Sequence, residues 1–309
     1  MSNQIRMFFK HVHNNKNNNV FKNDIQYLQL ISNVLDKGEM RKGRNGNVIS
    51  LFGEKMEFSL NNYKVPVITT KKLAWKTCLK ELLWFISGET SNKLLTEQNV
   101  NIWVPNADLN FKKKYNLIYN DPDDLGPVYG HQWRHFNAPY LGCNEDYTNK
   151  GVDQLNSIIS SLNDPNNKYS RRLIMSAWNP CQLSDMVLPP CHVLSHFHVN
   201  NNDELSCAIY QRSGDVGLGV PFNIASYAFL TCLLAKHCDL KPNKLIHFIG
   251  DAHIYENHID PLKKQLKMEM NKSPILEIVK KKSIDDYTIN DFKLNNYIGT
   301  EKIKMDMIA

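Results

Sequence analysis

Phe222-Asn223-Ile224-Ala225-Ser226-Tyr227-Ala228-Phe229-Leu230-Thr231-Cys232-Leu233-Leu234-Ala235-Lys236-His237-Cys238 is apolar nearly all the way round. A helix without a polar stripe has no face to offer to water, so the stretch predicts a central buried helix. Its most apolar part, residues 227–235, falls far short of the roughly 20 apolar residues that a membrane span requires. The helix therefore needs protein around it. Its neighbours along the chain supply that: residues 173–178, 192–199 and 205–211 before it, and 245–249 after it, read as strands.

Farther out, helix and strand patterns continue. Asp24 reads as a helix N-cap, with Ile25, Leu28, Ile31 and Leu35 at helical spacing and Gly38 as the stop. Residues 41–47 read as a Gly/Asn/Arg-rich loop, and 48–60 and 65–68 as strands. Residues 72–86 predict a helix with Leu79, Leu82, Leu83 and Ile86 inward, ended by Gly88. Residues 104–126 are irregular and polar, a surface excursion. Residues 152–162 and 259–266 predict further helices, 163–167 a turn, and 275–279 a strand. No internal repeat or linker interrupts residues 24–309. The pattern predicts a single α+β domain over residues 23–309, a mixed β-sheet covered by helices. Ahead of it, residues 1–22, with seven polar residues in a row at 13–19, read as a flexible polar Asn-rich tail.

A chain of 309 residues with 42% apolar and 22% charged residues can bury a substantial core and is an ordinary globular composition. A net charge of +6 suits anionic ligands, but no Lys/Arg-dense stripe marks a nucleic-acid binder, and RNA binding stays undecided. The first 22 residues hold Arg, Lys, His and Asn without a signal-peptide core, which makes the default address cytoplasmic and leaves nuclear entry open. Seven cysteines without tight pairing suit a reducing compartment.

Cys191, in Leu188-Pro189-Pro190-Cys191-His192, is a candidate nucleophile if cations lie near it. The alternative is one inert buried thiol among seven. His192 alone does not decide this, because neighbours on a strand point to opposite faces. Arg44, Arg171, Arg172 and Arg212 all lie in or beside loops, and converging guanidinium forks would make a phosphate-monoester site. Each taken singly is equally an ordinary surface arginine. Gly214 to Asn223 is a glycine-rich turn entering the buried helix, suited to close ligand approach but not a dinucleotide fingerprint. Asn223 is a polar amide in apolar surroundings, either satisfied by backbone or reading a ligand's paired donor and acceptor. Glu81 among leucines and aromatics is either on an outer helix face or a buried proton-transfer carboxylate. His196 and His198 share a strand face, but without further ligands at metal spacing they read as packed histidines, and no metal is expected.

Taken together, the chain from Asp24 to Ala309 resembles thymidylate synthases. The strings that carry the resemblance are Lys80-Glu81-Leu82-Leu83-Trp84-Phe85, Leu125-Gly126-Pro127-Val128-Tyr129-Gly130, Arg171-Arg172-Leu173-Ile174 and Pro190-Cys191-His192. Tyr210-Gln211-Arg212-Ser213, Pro221-Phe222-Asn223-Ile224-Ala225-Ser226-Tyr227, Gly250-Asp251-Ala252-His253-Ile254-Tyr255 and Ile303-Lys304-Met305-Asp306-Met307-Ile308-Ala309 complete them. The match is to the eukaryotic-type, monofunctional form, and the length implies no attached reductase domain.

The resemblance implies reductive methylation of dUMP to dTMP, with 5,10-methylenetetrahydrofolate as one-carbon and hydride donor and dihydrofolate as by-product. Cys191 would add to C6 of the uracil, with Glu81, Tyr129, Arg212, Asp215 and Asn223 completing the catalytic set. Arg44, Arg171, Arg172, His192, Gln211, Arg212, Ser213, Asp215, Asn223, His253 and Tyr255 would bind dUMP. Glu81, Ile102, Trp103, Asn106, Asp215, Leu218, Gly219, Phe222, Tyr255, Met307, Ile308 and Ala309 would bind the folate, the last three in a closing tail. The resemblance further implies a homodimer joined through a sheet face, in which Arg171 and Arg172 reach the partner's site, and neither metal nor nicotinamide. The chain departs from the pattern at Asn45, at Val104-Pro105, at His196, His198 and Ala208, and in Tyr297-Ile298-Gly299-Thr300 ahead of the tail. Two rival readings remain: a pyrimidine-nucleotide hydroxymethylase on the same fold, whose cytosine-specific form has Asp where this chain has Asn223, and a non-catalytic nucleotide- or RNA-binding relative.

Overall fold

The computed structural model describes residues 22–43, 45–114, 116–117 and 121–308. The expected tail at residues 1–22 lies outside the described residues apart from Lys22, as do Arg44 and Ala309. In chain order the helices are α1 (Lys22–Lys37), α2 (Trp75–Ile86), α3 (Asn92–Thr96), α4 (Val104–Ala107), α5 (Leu109–Lys114), α6 (Tyr129–His135), α7 (Gln154–Asn163), α8 (Gly219–His237) and α9 (Ile259–Gln265). The strands are β1 (Glu39–Gly43), β2 (Gly46–Ser59), β3 (Ile174–Ser176), β4 (His192–Val199), β5 (Glu204–Asp215), β6 (Lys241–Tyr255), β7 (Ile275–Ile278) and β8 (Phe292–Asn295).

Six strands form one mixed sheet in the order β1-β2-β6-β5-β4-β3, and β7 pairs with β8 separately. Among the described strands only β5 and β6 run parallel, and the connection between them is α8. A parallel pair needs a crossover, and an all-apolar helix laid on the sheet provides one. Every residue of α8 from Ile224 to Ala235 is buried. The helix packs on β5 and β6 beneath and against α2 beside it, so the predicted α+β domain with its central buried helix is what the chain forms. The opposite sheet face is open. Tyr210, Phe248 and Ile174 on it are 40%, 41% and 45% exposed, a patch of apolar side chains left uncovered.

Several boundaries differ from expectation. Residues 41–43 belong to strand β1, which pairs with β2 through Arg41↔Val48 and Gly43↔Gly46, so the polar residues there line an exposed edge strand. Residues 65–68 are extended and buried but join no ladder. Their backbone is satisfied elsewhere: Val65 N donates to Pro274 O at 3.0 Å and Ile68 O accepts from Tyr297 Oη at 3.0 Å. Asp24 does not cap its helix, which starts at Lys22. Its carboxylate instead takes the backbone N–H of Thr69 at 2.9 Å, and burial pushes its pKa up to about 6. The 104–126 excursion contains α4 and α5, with Pro105 in the first turn of α4 where its missing N–H costs nothing.

Candidate active site

The antiparallel pairing of β4 with β5 sets the centre of the site. His192 stands opposite Gln211, which places Cys191 and Arg212 side by side just beyond that pair. The Arg212 backbone N–H donates to Cys191 O at 2.9 Å. Its guanidinium clamps the preceding turn, with Nε on Pro190 O at 2.9 Å and Nη2 on Pro189 O at 2.8 Å. The same Nη2 stands 3.9 Å from Cys191 Sγ. A fixed guanidinium at that distance favours the anionic sulfur, the form that attacks carbon. The Arg212 side chain lies over the Trp178 ring at 5.6 Å, which leaves it little freedom.

Tyr129, at the start of α6, accepts the backbone N–H of Cys191 at 2.7 Å through its hydroxyl. Burial, then the nearby Cys191 sulfur, holds its phenol protonated far above the ordinary range. Glu81 projects from α2 into the same region, where Trp103 Nε1 donates to its Oε1 at 2.8 Å. It is partly open to the cleft, yet the dense protein around it pushes its carboxyl up to about 7. A carboxyl that titrates near neutrality takes and returns protons readily. The outer-face alternative for Glu81 is therefore excluded.

Asn223 sits in the first turns of α8. Its Oδ1 accepts from Gln211 Nε2 at 2.9 Å, and its side chain also bonds to His192. His192 is buried between Tyr129 and Tyr227, each ring 5.2 Å away, and burial lowers its pKa to about 4. Asp215 ends β5 and receives Gly217 N at 2.8 Å and Leu218 N at 3.3 Å, which shapes the turn into α8 beside Gly219 and Phe222. β6 brings His253 opposite Asp215 and Tyr255 two residues on, and their rings meet edge to face at 5.4 Å. β2 in turn sets Ser50 opposite His253 and Val48 opposite Tyr255. The β1–β2 hairpin thus rises at the same end of the sheet.

Trp103 and Asn106 are buried around α4, with Ile102 half-buried beside them. The C-terminal chain runs past the turn into α8, where Met305 comes close to Gly217 and His258 Nε2 bonds to Asp306 O at 2.8 Å just ahead of Met307 and Ile308. His258 Nδ1 faces Asp215 at 3.6 Å, so one imidazole spans the α8 turn and the tail. Lys71 is also buried here and donates to Gly217 O. His258 and Lys71 were not expected from sequence; each is a polar residue whose burial only the fold reveals. Arg171 and Arg172 are exposed in the turn ahead of edge strand β3. Ser213 contributes its backbone carbonyl to Gln211 Nε2 at 2.9 Å. Among the described residues, no group of three or more His, Cys, Asp or Glu side chains is placed to hold a metal ion.

A family model described as thymidylate synthase matches residues 25–309. The thymidylate synthase of Saccharomyces cerevisiae is 46% identical over 93% of this chain and 97% of that protein. The chain belongs to the thymidylate synthase family. The bifunctional dihydrofolate reductase-thymidylate synthase of Leishmania major is 46% identical over 91% of the chain, which covers 54% of that protein. The bifunctional protein of Paramecium tetraurelia is 48% identical over 91% of the chain and 60% of its own length. The chain thus spans little more than half the length of these bifunctional relatives. Measured against the thymidylate synthase pattern, the departures fall mostly away from Cys191. His196 pairs with Ala208 on the open sheet face, and His198 is exposed on the same face.

Proposed function

We propose that the chain methylates dUMP to dTMP, using 5,10-methylenetetrahydrofolate and releasing dihydrofolate. The observation that carries this reading is the Arg212 guanidinium 3.9 Å from Cys191 Sγ, in a chain whose family match runs through every motif of the site.

The Cys191 thiolate adds to C6 of the uracil, and the electron pair moves to C5. C5 attacks the iminium methylene of the folate and forms the new carbon–carbon bond. The C5 proton leaves to a base, assisted by the Tyr129 hydroxyl. Tetrahydrofolate is then eliminated from the methylene. It returns a hydride to that carbon and is itself oxidised to dihydrofolate, and the Cys191–C6 bond breaks. Glu81 moves protons at the pyrimidine and folate, which its carboxyl near 7 suits. Asn223 reads O4 and N3–H of the base. His253 and Tyr255 hold the ribose hydroxyl, and Arg44, Arg212 and Ser213 hold the phosphate. The tail through Met307 and Ile308, seated by His258, closes over the folate and keeps water from the reacting atoms.

The reading includes a homodimer joined through the open sheet face. Support comes from the exposed Tyr210, Phe248 and Ile174 on that face and from the exposed Arg171-Arg172 turn beside it. In the dimer the two arginines bind the partner's dUMP phosphate. The chain is read as cytoplasmic; among the described residues no helix is long and apolar enough to cross a membrane. Product analysis tests the reaction. Incubation with dUMP and methylenetetrahydrofolate is expected to give dTMP and dihydrofolate in equal amounts. Formation of 5-hydroxymethyl-dUMP with unoxidised tetrahydrofolate would assign the chain to the hydroxymethylase reaction.

A further inference from the structure

His258 ends the short turn that follows β6, and its side chain is fully buried. Its Nε2 lies 2.8 Å from Asp306 O in the tail. A backbone carbonyl only accepts, so Nε2 carries a proton. Nδ1 faces Asp215 Oδ1 at 3.6 Å, an ion-pair distance longer than a hydrogen bond. That carboxylate is fixed in its own turn, with Oδ1 taking the N–H of Gly217 and Oδ2 that of Leu218. Were only Nε2 protonated, the ring would turn a buried lone pair toward an anion. With both nitrogens protonated, the repulsion becomes an attraction between opposite charges.

The surroundings favour the charged ring on balance. Burial lowers the His258 pKa, but Asp215 and then the Asp306 carbonyl outweigh it and raise it above the ordinary histidine value. Lys71, tied to Gly217 O, opposes them, and the Tyr255 ring packs edge-on at 5.6 Å. The charge is therefore present at low pH and lost as pH rises through the raised value. Imidazole, turn and tail all meet at Gly217. A Cβ there would stand 2.7 Å from His258 Nδ1 and 3.2 Å from both Asp215 Oδ1 and Met305 Sδ, so glycine is what lets the three approach.

We propose that His258 is a positioning residue that couples the folate site to the tail: its charged imidazole holds the Asp215 carboxylate with one nitrogen and the tail backbone with the other. The tail is held more tightly while the ring keeps its charge. The proposal rests on the reading of Asp215 as a folate residue and of the tail as the lid over that site.

The test is steady-state kinetics of the full chain and its variants at two pH values, with folding checked by circular dichroism. His258→Gln keeps a donor for Asp306 O but offers no charge to Asp215 and does not titrate. At about pH 6 it should raise the folate KM about fivefold, with the dUMP KM unchanged within about twofold. At about pH 9, where the wild-type ring is neutral, the two folate KM values should converge. An equal folate KM at the lower pH would overturn the proposal, as would a difference of the same size at both, which marks a merely structural role. The wild-type protein supplies an independent measurement, since 15N chemical shifts of labelled His258 at about pH 6 should show both nitrogens protonated. A bare Nδ1 would overturn the coupling whatever the variant does. A chain shortened by residues 307–309 separates the two readings. If it turns over normally, the lid reading falls and the proposal with it; if it fails while His258→Gln matches wild type, the coupling alone falls.

Discussion

At Cys191 two groups act on one residue: Arg212 stands by the sulfur and Tyr129 holds the backbone N–H. Replacing the sulfur touches neither, so Cys191→Ala should keep dUMP binding within about threefold while abolishing dTMP formation; isothermal titration and turnover assays separate the two. Glu81 gives a pH prediction. Its carboxyl is raised from 4.5 to about 7 in the folded protein, so the folded state binds this proton more tightly than the unfolded chain does. Its contribution to stability is therefore fully present below pH 4.5 and lost as pH rises through 7. Glu81→Gln should slow turnover about 100- to 1,000-fold yet unfold at higher urea than wild type at pH 8. The gain expected is about 1–3 kcal/mol, discounted because the carboxyl partly faces the cleft, and it should shrink by pH 5. No relative gain at pH 8 would contradict the buried-carboxyl account. Asp24, raised to about 6, adds a pH dependence of the same sign common to both proteins. Sequence pointed to Cys191, Glu81, Arg212 and Asn223 as candidates but left each undecided from its own surroundings. What brings two of them together is register: the pairing of β4 with β5 sets Cys191 beside Arg212, residues 21 positions apart.

At the scale of elements, α8 was legible because it is buried all the way round from Ile224 to Ala235 and needs no partner to be named in advance. Phe229 is fully buried and meets Trp75 edge to face at 6.4 Å. Phe229→Ala should cost about 3–5 kcal/mol by leaving a cavity beside Trp75 of α2, read from denaturant unfolding with an unchanged slope. Strand β1 was illegible for the opposite reason. Its residues are exposed, and what makes it a strand is pairing with β2 and the Arg41–Asp251 ion pair, both set by tertiary contacts. Residues 65–68 misled because an apolar β-branched run reads as a ladder strand whether its backbone bonds go to neighbours in a sheet or to Pro274 and Tyr297.

At the scale of the molecule, the open sheet face and the exposed Arg171-Arg172 turn belong together in the proposed dimer. Phe248→Lys on that face should shift the chain toward monomer in sedimentation and lower activity with it. Mixing inactive Cys191→Ala with an Arg171→Ala/Arg172→Ala variant should recover part of the activity, because some heterodimers then hold one intact site. Full activity in a monomeric Phe248→Lys protein would refute a shared site. The central claim, that Cys191 adds to the pyrimidine and the folate's carbon is then captured, is tested most directly with a substrate that stops midway. 5-Fluoro-dUMP carries at C5 a fluorine that cannot leave as the proton does. Incubated with it and methylenetetrahydrofolate, the protein should gain the mass of both molecules, and peptide mapping should find them on Cys191. A protein whose mass stays unchanged, or an adduct on any other residue, would contradict the account.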